Sequence, residues 1–280
     1  MPSKDVEFWL KRSLKHSQAD APGAPGADDL RPFAEYSDHL RRAQEESGKP
    51  GLVLGATARI IDWCRNNNLR VTMMDFCEPL TQALRSSHKD WDGLEIAIDD
   101  WLSTTRLSGS FCWAAGDGVV NAVGSGRDAV RLMQQIHRLL LPGSLVILRN
   151  LLRPFPTPKT AEIFAKLRAG RIHSFSAFRH QLLQSLQPSF MDGSPTRAAY
   201  DVILKSGLLN DGLKERLCWP EEPDLDYYAV AGAALCYPTL SELRALTNAG
   251  FEELSISHGD YEMYELSPTI ICRTRIKNQL

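Results

Sequence analysis

The sequence predicts an α/β fold, a mostly parallel sheet with helices on both faces. Three observations carry this. Residues 51–75, GLVLGATARIIDWCRNNNLRVTMMD, read as a strand, a tight turn, a helix and a second strand. Strand and helix patterns then alternate, with short connections, as far as Asn150. The second, third and fourth strands each end on an acid, which gathers carboxylates along the carboxyl edge of one sheet. In an open parallel sheet that edge is where ligands bind.

In chain order, residues 1–48 form a leader. Residues 5–17 have helical spacing, with Val6, Trp9, Leu10 and Leu14 on one side. The stretch SQADAPGAPGADD, residues 17–29, has the composition of a flexible connector. A helix over Pro32 to Glu46 follows, and SGKPG breaks it. Such a leader is a solvated cover or a lid over the sheet edge, and Trp9, Phe33 and Tyr36, which need burial, favour a packed cover.

Residues 49–150 are the core. Gly51 to Leu54 is short, apolar and β-capable, and Gly55-Ala56-Thr57 is a turn of small residues. From Arg59, the apolar Ile60, Ile61, Trp63 and Cys64 share a helix side that Asn66 to Asn68 end. Val71 to Met74 is a buried strand with Asp75 at its carboxyl end. Glu78-Pro79 opens a helix to about Ser87, proline standing where its missing N–H costs nothing. Leu94 to Ile98 is a third strand, ending in Asp99-Asp100-Trp101. Ser110 to Ala115 is a fourth, ending in Gly116-Asp117-Gly118. An amphipathic helix over Arg127 to Leu141 stops at Pro142-Gly143, and Leu145 to Leu148 is a fifth strand ending near Arg149-Asn150.

The alternation lapses over 151–232, read as a mostly helical insertion with helices at 160–167, 175–186 and 197–205. It carries Tyr200, Trp219, Tyr227 and several phenylalanines, as a cover for a substrate would. Residues 233–280 complete the sheet. Thr239 to Glu242 is a capping box, its helix ends at Gly250, and strands follow at 251–257 and 269–274.

Composition removes several classes. The net charge is −2, whereas a nucleic-acid phosphate backbone calls for a basic face. No apolar run reaches the roughly twenty residues of a membrane span, and the N-terminus lacks a secretory h-region. Six scattered cysteines without a CxxC pair read as reduced core residues of a cytoplasmic protein, with no metal site.

The turn at Gly55, Ala56 and Thr57 lets backbone approach a ligand at a helix N-terminus, and an acid about twenty residues on suits a ribose diol. An adenosine-containing cofactor follows from this pair. A nicotinamide cofactor is disfavoured, because the second and third glycines of GxGxxG are absent.

Leu54-Gly55-Ala56-Thr57, Val71 to Asp75, Asp99-Asp100-Trp101, Gly116-Asp117-Gly118 with Asn121, and LLLPGSLVILR at 139–149 together resemble the class I S-adenosylmethionine-dependent methyltransferases. Within them, the likeness is to small-molecule enzymes whose first motif is of the LGxT type. The resemblance covers 50–150 well and 235–275 loosely. It implies a Rossmann-like seven-stranded mostly parallel sheet, with the insertion after strand five and a reversed last strand. It also implies S-adenosyl-L-methionine as cofactor. Asp75 would take the ribose diol, Asp99 or Asp100 the adenine amino group, and Trp101 the ring face. Asp117 and Gly118 would meet the methionine part, and Asn121 would reach it.

The expected reaction is SN2 methyl transfer to a small molecule. Asn121 and Tyr36 are the candidates for the chemistry, and Arg149 and Tyr227 for substrate contact, Arg149 through bidentate binding of a carboxylate. His39, His173, His180 and Tyr200 are lesser candidates. One departure stands out: relatives of the LGxT type usually carry Pro-Glu after Thr, where this chain has Ala58-Arg59. That leaves a runner-up open, a cyclase or lyase using S-adenosylmethionine as sole substrate and releasing methylthioadenosine. A non-catalytic partner subunit of the same fold is a third reading. Acceptor and oligomeric state are not legible.

Overall fold

The computed structural model describes residues 21–207 and 233–276. The expected helix at 5–17 and the residues Trp219 and Tyr227 lie outside the described residues. The leader contributes α1 (Arg31–Glu35) and α2 (Ser37–Ser47). Next come β1 (Gly51–Leu54), α3 (Ala58–Asn66), β2 (Val71–Asp75), α4 (Glu78–Ser87), β3 (Leu94–Ile98) and β4 (Phe111–Asp117). The short α5 (Val119–Ala122), the long α6 (Gly126–Leu139) and β5 (Leu140–Arg149) complete the core. The insertion holds α7 (Thr160–Arg168), α8 (Phe175–Leu186), β6 (Ser194–Pro195) and α9 (Thr196–Lys205). Then follow β7 (Ala234–Leu235), α10 (Leu240–Asn248), β8 (Phe251–Ser257) and β9 (Thr269–Thr274).

Seven strands form one sheet in the order β3-β2-β1-β4-β5-β9-β8. β1 to β5 run parallel, and β9 is antiparallel to both β5 and β8. The chain steps outward from β1 through β2 to β3, then returns to β4 beside β1. The switch point therefore lies between β1 and β4, the crevice where such sheets take ligands.

Alternation along the strands splits the core in two. Leu52, Leu54, Met74, Val146 and Leu148 face α6 and α10, packing on Leu132, Met133, Ile136 and Leu243. Val53, Val71, Met73, Ala115 and Ile147 face the leader, α3 and α4, packing on Phe33, Leu40, Ile60 and Ile61. At Gly51 the backbone passes so close to Trp113 that a Cβ would lie 2.1 Å from the indole. The insertion has its own apolar core around Phe164, Leu167, Phe178, Leu182 and Ile203, closed by Leu235 and Tyr237.

Several expectations need adjusting. The helix expected over 32–46 is two helices meeting at Tyr36, whose φ of −100° and ψ of 8° leave the helical region. β5 starts five residues earlier than expected, at Leu140, because Leu140 pairs with Phe111 before a register shift passes the Pro142-Gly143 turn. Besides its helices, the insertion holds β6, which pairs with β7 just beyond it. The largest correction concerns the connector. In its described part, Pro22, Gly23, Pro25 and Asp29 are buried, so residues 21–29 are a packed segment.

Candidate functional site

The carboxyl edge at the switch point is assembled from short-range necessities. Gly55 follows β1 with φ +84°, a conformation that favours glycine, and its N–H donates to the Met74 carbonyl at 2.9 Å. Asp75 ends β2 and is 7% exposed. Its carboxylate accepts the Ala56 N–H at 3.2 Å and the Cys77 N–H at 2.8 Å, which fixes its orientation toward the turn. Thr57 precedes α3 without a side-chain cap bond.

Trp101 is buried, and its indole N–H donates to the same Met74 carbonyl at 2.7 Å. A Cβ built on Gly55 would lie 3.5 Å from the Trp101 ring and 3.9 Å from the Asp75 carboxylate. Gly55, Asp75 and Trp101 thus surround one spot, three residues brought together from the ends of three strands. Asp99 and Asp100 shape the turn that carries Trp101. Asp99 accepts from the Asp100 N–H and the Thr104 hydroxyl, and Asp100 from the Leu102 N–H and the Ser103 hydroxyl.

One strand over, Asp117 ends β4 directly beside Arg149 at the end of β5. Neighbouring residues of a parallel pair share a face, so the two side chains meet, at 2.6 Å. Gly118, with φ +61°, donates its N–H to the Arg149 carbonyl at 2.8 Å. Arg149 is 4% exposed, and the carboxylates on its guanidinium are the chain's own: Asp117, and Asp29 of the leader at 3.0 Å. It also donates to the Tyr261 hydroxyl at 3.1 Å and the Pro22 carbonyl at 2.9 Å. Tyr261 in turn donates to Asp29 at 2.9 Å.

Burial works against the charge on Arg149, but Asp117, Tyr261 and Asp29 outweigh it and hold the guanidinium firmly protonated. Burial pushes the Asp29 carboxyl above its ordinary range, with Arg149 offsetting only part of the effect. Burial likewise raises the Tyr261 phenol, and the adjoining Asp29 carboxylate adds to the shift.

The remaining candidates fall elsewhere. Asn121 is buried, and its amide donates to the carbonyls of Leu151 and Cys236 at 2.7 Å each, while its oxygen accepts the Leu151 N–H. It staples the start of the insertion to the segment that ends it. Tyr36 packs against the core on the leader side. His180 is buried in the insertion against the Tyr237 hydroxyl, at 2.9 Å. His39 and His173 are exposed, and Tyr200 packs on the insertion core with Arg197 over its ring.

Sequence reasoning missed Asp29 and Tyr261, and it singled out Arg59 without finding its partner. Arg59, the departure in the first motif, donates to the Pro25 carbonyl of the leader. Burial raises the thiols of Cys112, to about 11, and of Cys236 and Cys272, to about 12. Among the described residues no cluster of His, Cys, Asp or Glu is placed to hold a metal, and no helix is long and apolar enough to cross a membrane. An apolar groove of about 520 Å³ lies between α6 and α10, lined by Met133, Phe190, Leu246 and Phe251. It is remote from the acids at the strand ends.

Gly55, Asp75 and Trp101 supply the kinds of group an adenosine takes: a backbone without a Cβ, an oriented carboxylate and an indole. No protein-family model and no curated protein sequence matches the chain. Solved structures do. The chain is similar to a Rhodobacter sphaeroides protein described as a zinc-dependent alcohol dehydrogenase, with 16% identity and a TM-score of 0.63 over 99% of this chain and 100% of that one. It is similar to the CcbJ methyltransferase of Streptomyces caelestis, with 12% identity and a TM-score of 0.55 over 95% and 96% of the two chains. A third is the Burkholderia thailandensis 1,6-didemethyltoxoflavin-N1-methyltransferase with bound S-adenosylhomocysteine, with 14% identity and a TM-score of 0.53 over 97% and 87%. The chain has the Rossmann-like fold of the S-adenosylmethionine-dependent methyltransferases.

Proposed function

We propose that this chain binds S-adenosyl-L-methionine across the β1–β4 switch point and transfers its methyl group to a small molecule. The observation that carries the reading is the convergence of Gly55, Asp75 and Trp101 on one spot at that edge. Asp75, held by two backbone N–H groups, accepts from the ribose hydroxyls. The Gly55 to Thr57 turn brings backbone close to the ligand at the start of α3. Trp101 lies along the adenosine. The backbone at Asp117 and Gly118 meets the methionine end. Asn121, whose amide is held by backbone groups, positions the segments that border that end. When bound, the cofactor supplies a methyl group on a cationic sulfur, open to in-line attack by an acceptor whose lone pair forms the new bond as the carbon–sulfur pair returns to sulfur.

Positioning and exclusion of water supply most of the rate in such a displacement, so no fixed acid–base triad is required. Incubation with S-adenosylmethionine, with and without pooled small-molecule amines, phenols and carboxylic acids, followed by mass spectrometry, tests the reading. Acceptor-dependent S-adenosylhomocysteine is the expected product. Methylthioadenosine formed without any acceptor would replace methyl transfer with intramolecular cyclisation or lyase chemistry. No binding at all would leave a fold without the activity.

A further inference from the structure

In the leader segment from Pro22 to Asp29, Pro22, Gly23, Pro25 and Asp29 are buried, while Ala27 and Asp28 are exposed. Pro22 and Pro25 have no N–H to satisfy, so at those residues only the carbonyl oxygens need partners. Arginines from two different core elements satisfy them. Arg59, in the first turn of α3 just after the β1 turn, donates to the Pro25 carbonyl. Arg149, at the end of β5, donates to the Pro22 carbonyl at 2.9 Å. The Gly26 N–H is taken by Asp29 at 2.7 Å, and Asp29 is itself held by Arg149 and Tyr261. Beyond it, Arg31 donates to the His258 carbonyl at 3.0 Å, past the end of β8.

These anchors trace a path over the sheet. The order is β1-β4-β5-β9-β8, and along the segment the ties go from β5 at Pro22 to the β1–α3 junction at Pro25, then back to β5 and the β8–β9 connection at Asp29. The segment therefore spans the switch point between β1 and β4, tied to the arginine that also holds Asp117.

We infer that residues 22–29 form a strap roofing the cofactor crevice, held shut by Arg59 and Arg149, and that the cofactor enters and leaves only when the strap lifts. This rests on the function proposed above. Asp29 and Arg59 are then positioning residues of the site rather than parts of a peripheral cover. The arginine that replaces the relatives' usual motif has a role here, as one of the strap's anchors.

Hydrogen exchange in the full chain without ligand reads the strap at Gly26, whose N–H is held by Asp29, and at Leu30, whose N–H is held by the Ala27 carbonyl. Losing one charge-assisted hydrogen bond makes local opening about tenfold more frequent or more. Arg59→Met, which leaves the Pro25 carbonyl without its guanidinium, is expected to speed exchange at Gly26 by that factor, and Asp29→Ala, which releases the strap from Arg149 and Tyr261, is expected to do so at Leu30, while β1 and β4 stay protected. Stopped-flow binding of S-adenosylmethionine is expected to show both association and dissociation faster in each variant. Unchanged exchange in both variants overturns the strap's anchoring. Faster exchange with unchanged binding rates overturns its role as a gate. A wild-type chain that binds no S-adenosylmethionine overturns the function itself, an outcome distinct from binding at unaltered rates.

Discussion

One guanidinium, that of Arg149, serves two carboxylates, and it serves them unequally. Asp117 has the short contact, at 2.6 Å, and Asp29 shares the Nε side with Tyr261. The burial cost of the Asp29 charge is accordingly only partly offset, which is why its carboxyl is shifted upward. Removing the arginine leaves buried Asp29 and partly buried Asp117 uncompensated, so Arg149→Met is expected to destabilise the fold by about 3 kcal/mol in urea titration. Asp29→Asn removes a poorly compensated charge and keeps an acceptor for Gly26, so its cost is expected to be much smaller.

The pH dependence follows from the direction of the shift. An acid whose folded pKa is raised favours folding in its protonated form. That contribution is fully present below the ordinary value of 3.8 and is lost as pH rises through the raised folded value. Wild type is therefore expected to gain stability relative to Asp29→Asn as pH falls from neutral into the acid range. Parallel melting curves for the two proteins across that range would show that Asp29 does not titrate as described. The sequence points to none of these residues in these roles. Asp29 sits in a Pro-, Gly- and Ala-rich stretch, and the partners of that segment are 34 to 232 residues away in the chain. Arg149 reads as a contact for a substrate's carboxylate, because a strand-end arginine looks the same whether the acid it binds is a ligand's or the chain's.

Elements are far more legible. Periodicity marks every strand of the large sheet, and the capping box at Thr239 is present with both reciprocal bonds. Thr239→Ala is expected to cost about 1 kcal/mol, through loss of the cap on α10. What escapes is set by neighbours rather than by local pattern. The two-residue pairing of β6 with β7 is too short to have a period. The break at Tyr36 leaves helical sequence on both sides. Packing at Gly51 gives a sharper test of the sheet. Its strand runs against Trp113, which is fully buried, so Gly51→Ala must displace the indole. A loss of about 1–3 kcal/mol is expected, as in other overpacked cores. A Gly51→Ala variant as stable as wild type would contradict the close β1–β4 packing.

For the whole molecule, the order of strand-end residues is enough to predict which of them share one edge of the sheet. Gly55, Asp75 and Trp101 come from three separate strand ends, and the parallel topology is what brings them together. A leader that covers this edge is an expectation from sequence, but that its connector-like stretch 22–29 does the covering is not legible, because it depends on where that stretch comes to rest. The central claim is that this edge binds S-adenosylmethionine through Asp75, and calorimetric titration of the full chain tests it most directly. The wild type is expected to give saturable heat. Asp75→Asn, which keeps one acceptor for its backbone partners, is expected to bind at least about tenfold more weakly, with its fold intact by circular dichroism. No heat with the wild type, or equal affinity in the two proteins, would contradict the account.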